Sequence, residues 1–167
     1  DKTEGNKGGT DFWIVKTNSE GIKQWDKTIG GDGYDVINTA STSTNGGFLF
    51  GGNSSSGISG DKTESIRGYE DMWMVSTDQF GNVLWDKTIG GSSIDYLQDL
   101  KISKDGGYII GGSSVSDISF EKSENSRGAY DYWIVKLDSS RNVVWDKTIG
   151  GGSGDFMGSL LALPNNT

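Results

Sequence analysis

The chain has 167 residues, a formal net charge of −8, 27 glycines, and neither cysteine nor histidine. Those absences exclude thiol catalysis, disulfide scaffolding, Ser-His triads and zinc sites built on His or Cys, and the acidic balance argues against nucleic acid as a partner. Six each of Trp, Tyr and Phe set the chain apart from disordered sequences and, with the glycines, indicate a turn-dense all-β fold.

In chain order, residues 1–10 read as a leading loop, and Phe12-Trp13-Ile14-Val15 is a short apolar run suited to a strand buried on both faces. A second strand carries Trp25 into Asp26-Lys27-Thr28-Ile29, and the Gly-rich link Gly30-Gly31-Asp32-Gly33-Tyr34 follows. A third strand leads to the hairpin signal Asn45-Gly46. The fourth, Gly47-Phe48-Leu49-Phe50, is closed by Gly-Gly, and a Ser-rich loop spans 53–70. The pattern then recurs: Met72–Val75, a short polar turn at 78–82, Val83-Leu84-Trp85, a third strand, the signal Asp105-Gly106, Tyr108–Ile110, and a loop at 113–130. In that third strand Tyr96, Leu100 and Ile102 are expected on one face, with Asp99 and Lys101 on the other. Tyr132–Val135 and Val143-Val144-Trp145 begin a third round.

The string Trp-Asp-Lys-Thr-Ile-Gly-Gly starts at Trp25, Trp85 and Trp145, which fixes a repeat of 60 residues. Stacking 1–47, 61–107 and 121–167 leaves 14 columns identical in all three copies, so each unit solves the same packing problem. Four antiparallel strands per unit predict β-propeller blades, with a β-solenoid as the rival. The expected units are 1–52, 53–112 and 113–167, the third without its last strand. Propellers close with about four to eight blades, so the chain reads as a fragment of a larger closed propeller or as an assembling protomer. Its opening at Asp1, without Met or signal peptide, also suggests a mature or excised piece. Tight turns are expected on one rim, and the Gly-rich links and long loops on the other.

Three stretches carry a family likeness: Asp-Tyr-Trp-Ile-Val-Lys-Leu-Asp at 131–138, Val-Val-Trp-Asp-Lys-Thr-Ile-Gly-Gly at 143–151, and Lys-Asp-Gly-Gly-Tyr-Ile-Ile-Gly-Gly at 104–112. They resemble the extracellular propeller-like repeats of bacterial surface proteins, above all those of Bacteroidetes, and the loop Ile58–Glu64 is similar to the same group. The resemblance implies a secreted or cell-surface location, often reached by type IX secretion. It implies no particular reaction. A weaker likeness to quinoprotein propellers, in Asp78…Gly81…Trp85, concerns only a hairpin and its packing Trp.

Trp13/73/133 and Trp25/85/145 fall within strands and read as aromatics packed between blades. Asp26, Lys27 and Thr28 with their copies read as a polar ladder, the Asp and Lys forming a repeated ion pair. The Gly-Gly elements read as turns and close approaches, since a phosphate cradle needs a helix. Asp11, Asp35, Asp71, Asp95, Asp131 and Asp155 precede strands on the loop rim. With Asp32, Glu64 and Glu124 nearby they are candidate calcium ligands, and no other cofactor is expected. The long loops are where binding usually lives. Candidate ligand contacts are Asp32, Tyr34, Asp61, Glu64, Arg67, Tyr69, Glu124, Arg127 and Tyr130.

The function expected is a non-catalytic extracellular module for adhesion, display or ligand binding. The alternatives are a carbohydrate-active enzyme, using Asp32 with Asp35 or Glu64 with Asp71, and an architectural spacer. Expected partners are neighbouring blades of the same polypeptide and a glycan or protein ligand. Nucleic acid is not expected, and no apolar run approaches the ~20 residues of a membrane span.

Overall fold

The structure, a computed structural model, describes residues 1–43 and 46–163. Asn45 of the expected Asn45-Gly46 hairpin lies outside that range. The described chain is all-β: β1 (Phe12–Thr17), β2 (Lys23–Ile29), β3 (Asp35–Thr42), β4 (Phe48–Ser54), β5 (Asp71–Thr77), β6 (Val83–Ile89), β7 (Asp95–Ile102), β8 (Tyr108–Ser114), β9 (Asp131–Leu137) and β10 (Val143–Ile149). All pairings between these strands are antiparallel. β1 and β2 form a two-stranded sheet, and two four-stranded sheets follow in the orders β3-β4-β5-β6 and β7-β8-β9-β10.

Sheets and sequence repeats are out of phase by two strands. Each four-stranded sheet joins the last two strands of one repeat to the first two of the next, so the expected boundaries at 52/53 and 112/113 fall inside β4–β5 and β8–β9 pairings. The reason lies at the Gly-rich corner. Asp35 bends the chain there by accepting from Gly31 N–H (2.7 Å) and Ser56 Oγ–H (2.9 Å). A Cβ on Gly31 would lie 2.6 Å from Ser56 Cβ, so only glycine lets the chain leave one sheet for the next. The long loop, by contrast, connects paired neighbours within a sheet.

Tight turns close the opposite rim. In the turn after β5, the Asp78 carboxylate accepts from Phe80 N–H (2.8 Å) and Asn82 N–H (2.9 Å), a side chain mimicking a backbone turn. The Asp105-Gly106 hairpin forms as expected, with Ser103 N–H donating to Gly107 O (2.9 Å).

Two details depart from simple alternation. Bulges at Asn38 and Gln98 interrupt β3–β4 and β7–β8, so Leu97 shares a face with Leu100 and Ile102 while Tyr96 lies on the other. The strands β4 and β8 also run through the Gly-Gly pairs rather than ending at them. The bulge brings the Tyr96 carbonyl so close to Gly112 that a Cβ there would collide with backbone. Gly112→Ala is therefore expected to lower stability by about 2 kcal/mol, whereas Gly57→Ala, facing open space, leaves the urea midpoint unchanged.

The sheets stack face to face through two apolar clusters. Trp73 and Val75 of β5 meet Phe12, Ile14 and Ile29 of the two-stranded sheet. Met72 and Met74, on the other face of β5, meet Leu97, Ile110, Trp133 and Val135 of the next sheet. Every residue of β5 is buried, as a strand covered on both faces requires, whereas β1 alternates and leaves Trp13 and Val15 about half exposed. The second Trp column is only half buried: Trp25 packs edge-on against Phe48, and Trp85 against Tyr108, across successive sheets.

Candidate functional site

The repeated polar residues are bonded to the long loops. Trp13, Trp73 and Trp133 donate their indole N–H to Asp26, Asp86 and Asp146 at 3.2, 3.0 and 2.9 Å. The same carboxylates accept backbone N–H groups of Thr3, Thr63 and Ser123 at 2.8, 3.0 and 3.0 Å. Glu4, Glu64 and Glu124 reach back along the outer strand to Thr28, Thr88 and Thr148 N–H (2.8, 3.1 and 2.8 Å) and pair with Lys27, Lys87 and Lys147 (3.2, 2.9 and 2.6 Å). The repeated Lys therefore pairs with a loop Glu and not with the adjacent Asp, which points to the opposite side of its strand. Lys62 and Lys122, both buried, donate to Thr88 and Thr148 and lie over the Trp73 and Trp133 rings at 5.6 and 5.2 Å. Burial pushes both ammonium groups below the ordinary lysine range. In this way the segment from residue 61 to 64 covers the exposed edge of β6, a position otherwise open to pairing with other chains.

Loops also tie one sheet to the next. Lys7 pairs with Asp61, and Arg67 pairs with Glu121 through two bonds of 2.9 and 3.1 Å. Asp61 and Glu121 in turn accept Gly30 and Gly90 N–H at 3.0 and 3.3 Å. A polar cleft of about 290 Å³ beside Glu4, Lys7, Lys27 and Asp61 is lined by charges that already neutralise one another.

At each junction between sheets two aspartates meet. Asp35, Asp95 and Asp155 donate their backbone N–H to the residue preceding Asp11, Asp71 and Asp131, at 2.7, 2.7 and 2.5 Å. One oxygen of each carboxylate is spent: Asp71 Oδ2 accepts Arg67 N–H (2.6 Å), and Asp95 Oδ2 accepts Gly91 N–H (2.7 Å) and Ser116 Oγ–H (3.0 Å). The other oxygen is buried without a hydrogen-bond partner in Asp11, Asp35, Asp71, Asp95 and Asp131. Gly90 makes room for this, since a Cβ there would strike Asp71 Oδ1. Burial pushes the Asp71 carboxyl up to about 7, with the neighbouring Asp95 charge adding to the effect; Asp95 is itself raised by burial.

The Asp11–Asp35 and Asp71–Asp95 pairs each offer two such oxygens and the third pair one, against the roughly six to eight that calcium takes. Among the described residues no group of three or more His, Cys, Asp or Glu comes together. The additional ligands expected from Asp32, Glu64 and Glu124 lie elsewhere. Asp32 accepts from Ser59 Oγ–H (2.8 Å) and Gly57 N–H (3.2 Å), while the glutamates are held along the outer strands by Thr88 and Thr148.

Of the candidate ligand contacts, Asp61, Glu64, Arg67 and Glu124 are thus fasteners within or between sheets, and Asp32 pins its own corner. Tyr34, Tyr69 and Arg127 are exposed. Tyr130 stacks on Tyr96 (5.6 Å between centroids) and meets Phe156 at 4.9 Å. The carboxylate pairs considered for glycoside cleavage are not free either, because Asp35 and Asp71 are buried away from any substrate and Glu64 is ion-paired.

This chain matches no protein-family model and no curated protein sequence. Its own repeat is therefore the comparison that carries information. Phe156 and Phe120 were not singled out from sequence, and Tyr96 was read only as a strand residue, although each breaks the repeat: Val36, Tyr96 and Phe156 share a column, and Phe120 stands where the preceding copy has Gly60. Gly60 has φ +55° and Phe120 has φ 47°, a region costing a residue with a side chain about 1–2 kcal/mol. Yet Phe120 is 70% exposed, so core packing does not repay that strain.

Proposed function

We propose that the sheets are blades of a propeller-type repeat in an extracellular bacterial surface protein of the kind the sequence resembles, and that the loop rim is its binding surface. The observation that carries this reading is a division of labour between columns. Residues identical in every copy, such as Lys62, Glu64, Asp86 and Thr88, are bonded to each other. Among the residues that differ between copies and stand open on the loop rim, beside polar ones such as Asp32 and Asp117, are five aromatics: Tyr34, Tyr69, Phe120, Phe156 and the partly covered Tyr130.

Rigid aromatic faces give contact area at little cost in side-chain entropy, and flat sugar rings stack on them. A glycan is the ligand class this surface fits, bound without turnover. Phe120→Gly is expected to raise the unfolding free energy by about 1 kcal/mol while weakening glycan binding. Tyr34→Ala and Phe156→Ala weaken binding with little change in stability. The test is a glycan array followed by calorimetry of the hits. Binding that survives all three substitutions removes the rim from consideration, and saturable turnover of a hit replaces the non-catalytic reading.

A further inference from the structure

The first two Gly-rich corners are fastened alike. At the first, Gly9 N–H donates to Gly33 O (2.7 Å), Asp32 N–H to Ser59 Oγ (2.8 Å) and Asp61 N–H to Gly30 O (2.9 Å). At the second, Tyr69 N–H donates to Ser93 O (2.9 Å), Ser92 N–H to Ser119 Oγ (2.8 Å) and Glu121 N–H to Gly90 O (3.3 Å). Each corner is thus held by two loops through the same bonds, and the corners differ in their side chains.

Three of those side chains change together. Tyr69 stands in the column of Gly9, Glu70 in that of Thr10, and Phe120 in that of Gly60. A ring lies over the first corner too, but the corner itself supplies it: a Cβ on Gly9 would lie 2.9 Å from Tyr34 Cε1. Ile94 replaces Tyr34 at the second corner, and there the rings come from the two loops. Tyr69 is 76% exposed and Phe120 70%. Gly60, with a sheet on either side of its loop, is exposed as well, so the position of Phe120 faces solvent in both copies. The hydroxyls of Ser92 and Ser93 have no hydrogen-bond partner among the described residues.

Glu70 adds a charge that the first corner lacks. Its carbonyl accepts Asp95 N–H at 2.7 Å, which sets it beside the strand that carries Tyr96. Its carboxylate makes no hydrogen bond or ion pair among the described residues, and the nearby Arg67 is already engaged by Glu64 and Glu121. Burial pushes the Glu70 carboxyl up. Burial, Tyr130 and the Glu70 charge together push the Tyr96 phenol up to about 12. A half-buried carboxylate among aromatic rings, without a counter-ion in a chain of net charge −8, suits a cation that also carries an apolar face.

We propose that the second corner is the ligand subsite of the loop rim and that it takes a protonated amino sugar. Tyr69 and Phe120 flank the sugar ring, Ser92 and Ser93 meet its hydroxyls, and Glu70 pairs with the ammonium group. This subsite rests on the reading of the rim as a glycan-binding surface and adds a charge requirement to it.

The experiment is calorimetry of the 167-residue chain with trimers of glucosamine, N-acetylglucosamine and glucose at about pH 6, where a sugar amine is protonated. The glucosamine trimer binds about tenfold more tightly than either neutral trimer. Glu70→Gln removes that advantage and leaves the neutral trimers unaffected; a carboxylate bonded to nothing can be lost without lowering the melting temperature, which shows the variant folded. Tyr69→Gly and Phe120→Gly restore the residues of the first corner, and each weakens the glucosamine trimer by about tenfold. A glucosamine trimer that binds no more tightly than the neutral ones overturns the inference, and so does an advantage that survives Glu70→Gln. Neutral-trimer binding that is lost on Tyr34→Ala would, in either case, leave the rim reading standing without the charge requirement. A lysine tripeptide that matches the glucosamine trimer overturns the assignment to a sugar.

Discussion

Asp86→Ala is expected to lower the unfolding free energy by about 3–5 kcal/mol, a fall of roughly 10 °C in melting temperature for a chain of this size. Three groups depend on that carboxylate. The indole N–H of the fully buried Trp73 donates to it at 3.0 Å, and the backbone N–H of Thr63 donates at 3.0 Å. Lys62, 1% exposed, has Asp86 as the foremost charge offsetting its burial. Alanine leaves a buried donor unsatisfied, frees the loop segment covering the edge of β6, and strands a buried ammonium.

The repeat supplies its own controls. Asp146→Ala meets the same surroundings, a buried Trp133 and a buried Lys122, and should cost as much. Asp26→Ala should cost about 1 kcal/mol, because Trp13 is half exposed and water can replace the lost acceptor. Urea titrations of the three variants check the ranking. Equal losses at all three positions would show that the value of the aspartate does not come from what it buries.

The legible part of this molecule was whatever its period recorded. Ten strands lie close to where the three copies of Trp-Asp-Lys-Thr-Ile-Gly-Gly and their flanking apolar runs put them, because apolar runs, Gly-Gly corners and Asp-Gly turns are local signals. The pairing phase was not local. Whether β2 pairs with β3 or leaves it for another sheet depends on Ser56 and Ser59 bonding to a corner more than 20 residues away. The role of the loops was hidden for a related reason, since Glu64 acts on Lys87 and Thr88 across a separation of 23–24 residues. A signal for it existed: Lys2/62/122 and Glu4/64/124 are identical in all copies, and a loop that conserves its charges within one chain is fastening something. The rim aromatics were the opposite case. Phe120 and Phe156 carry weight because they break the period, and only exposure and backbone angle separate them from ordinary substitutions between copies.

Acidification from pH 8 toward pH 5 should stabilise the protein, by about 3 kcal/mol at most from the Asp71–Asp95 pair. Burial holds the folded Asp71 carboxyl at about 7, against an ordinary value of 3.8. The folded state therefore binds a proton that the unfolded state does not, throughout the interval between those values. A raised carboxyl contributes stability that is complete below its unfolded value and is lost as pH rises through its folded one, so the gain develops as pH falls through 7. Asp105 sets the opposite limb: Lys136 (2.8 Å), with Ser103 and Gly107, holds its carboxyl far below the usual range, and that contribution is lost as pH falls below about 4. Stability should then peak near pH 4–5. The net charge of −8 also relaxes on acidification and would mimic part of the rise, so the pair needs its own variant. Asp71→Asn keeps an oxygen for Arg67 N–H and removes the buried charge that Asp95 disfavours, supplying permanently the neutrality that the proton supplies on demand. The variant should melt above the unaltered protein at pH 8 and match it near pH 5. A variant whose melting temperature climbs as steeply on acidification as that of the unaltered chain would assign the rise to general charge and leave the aspartate pair without a proton to share.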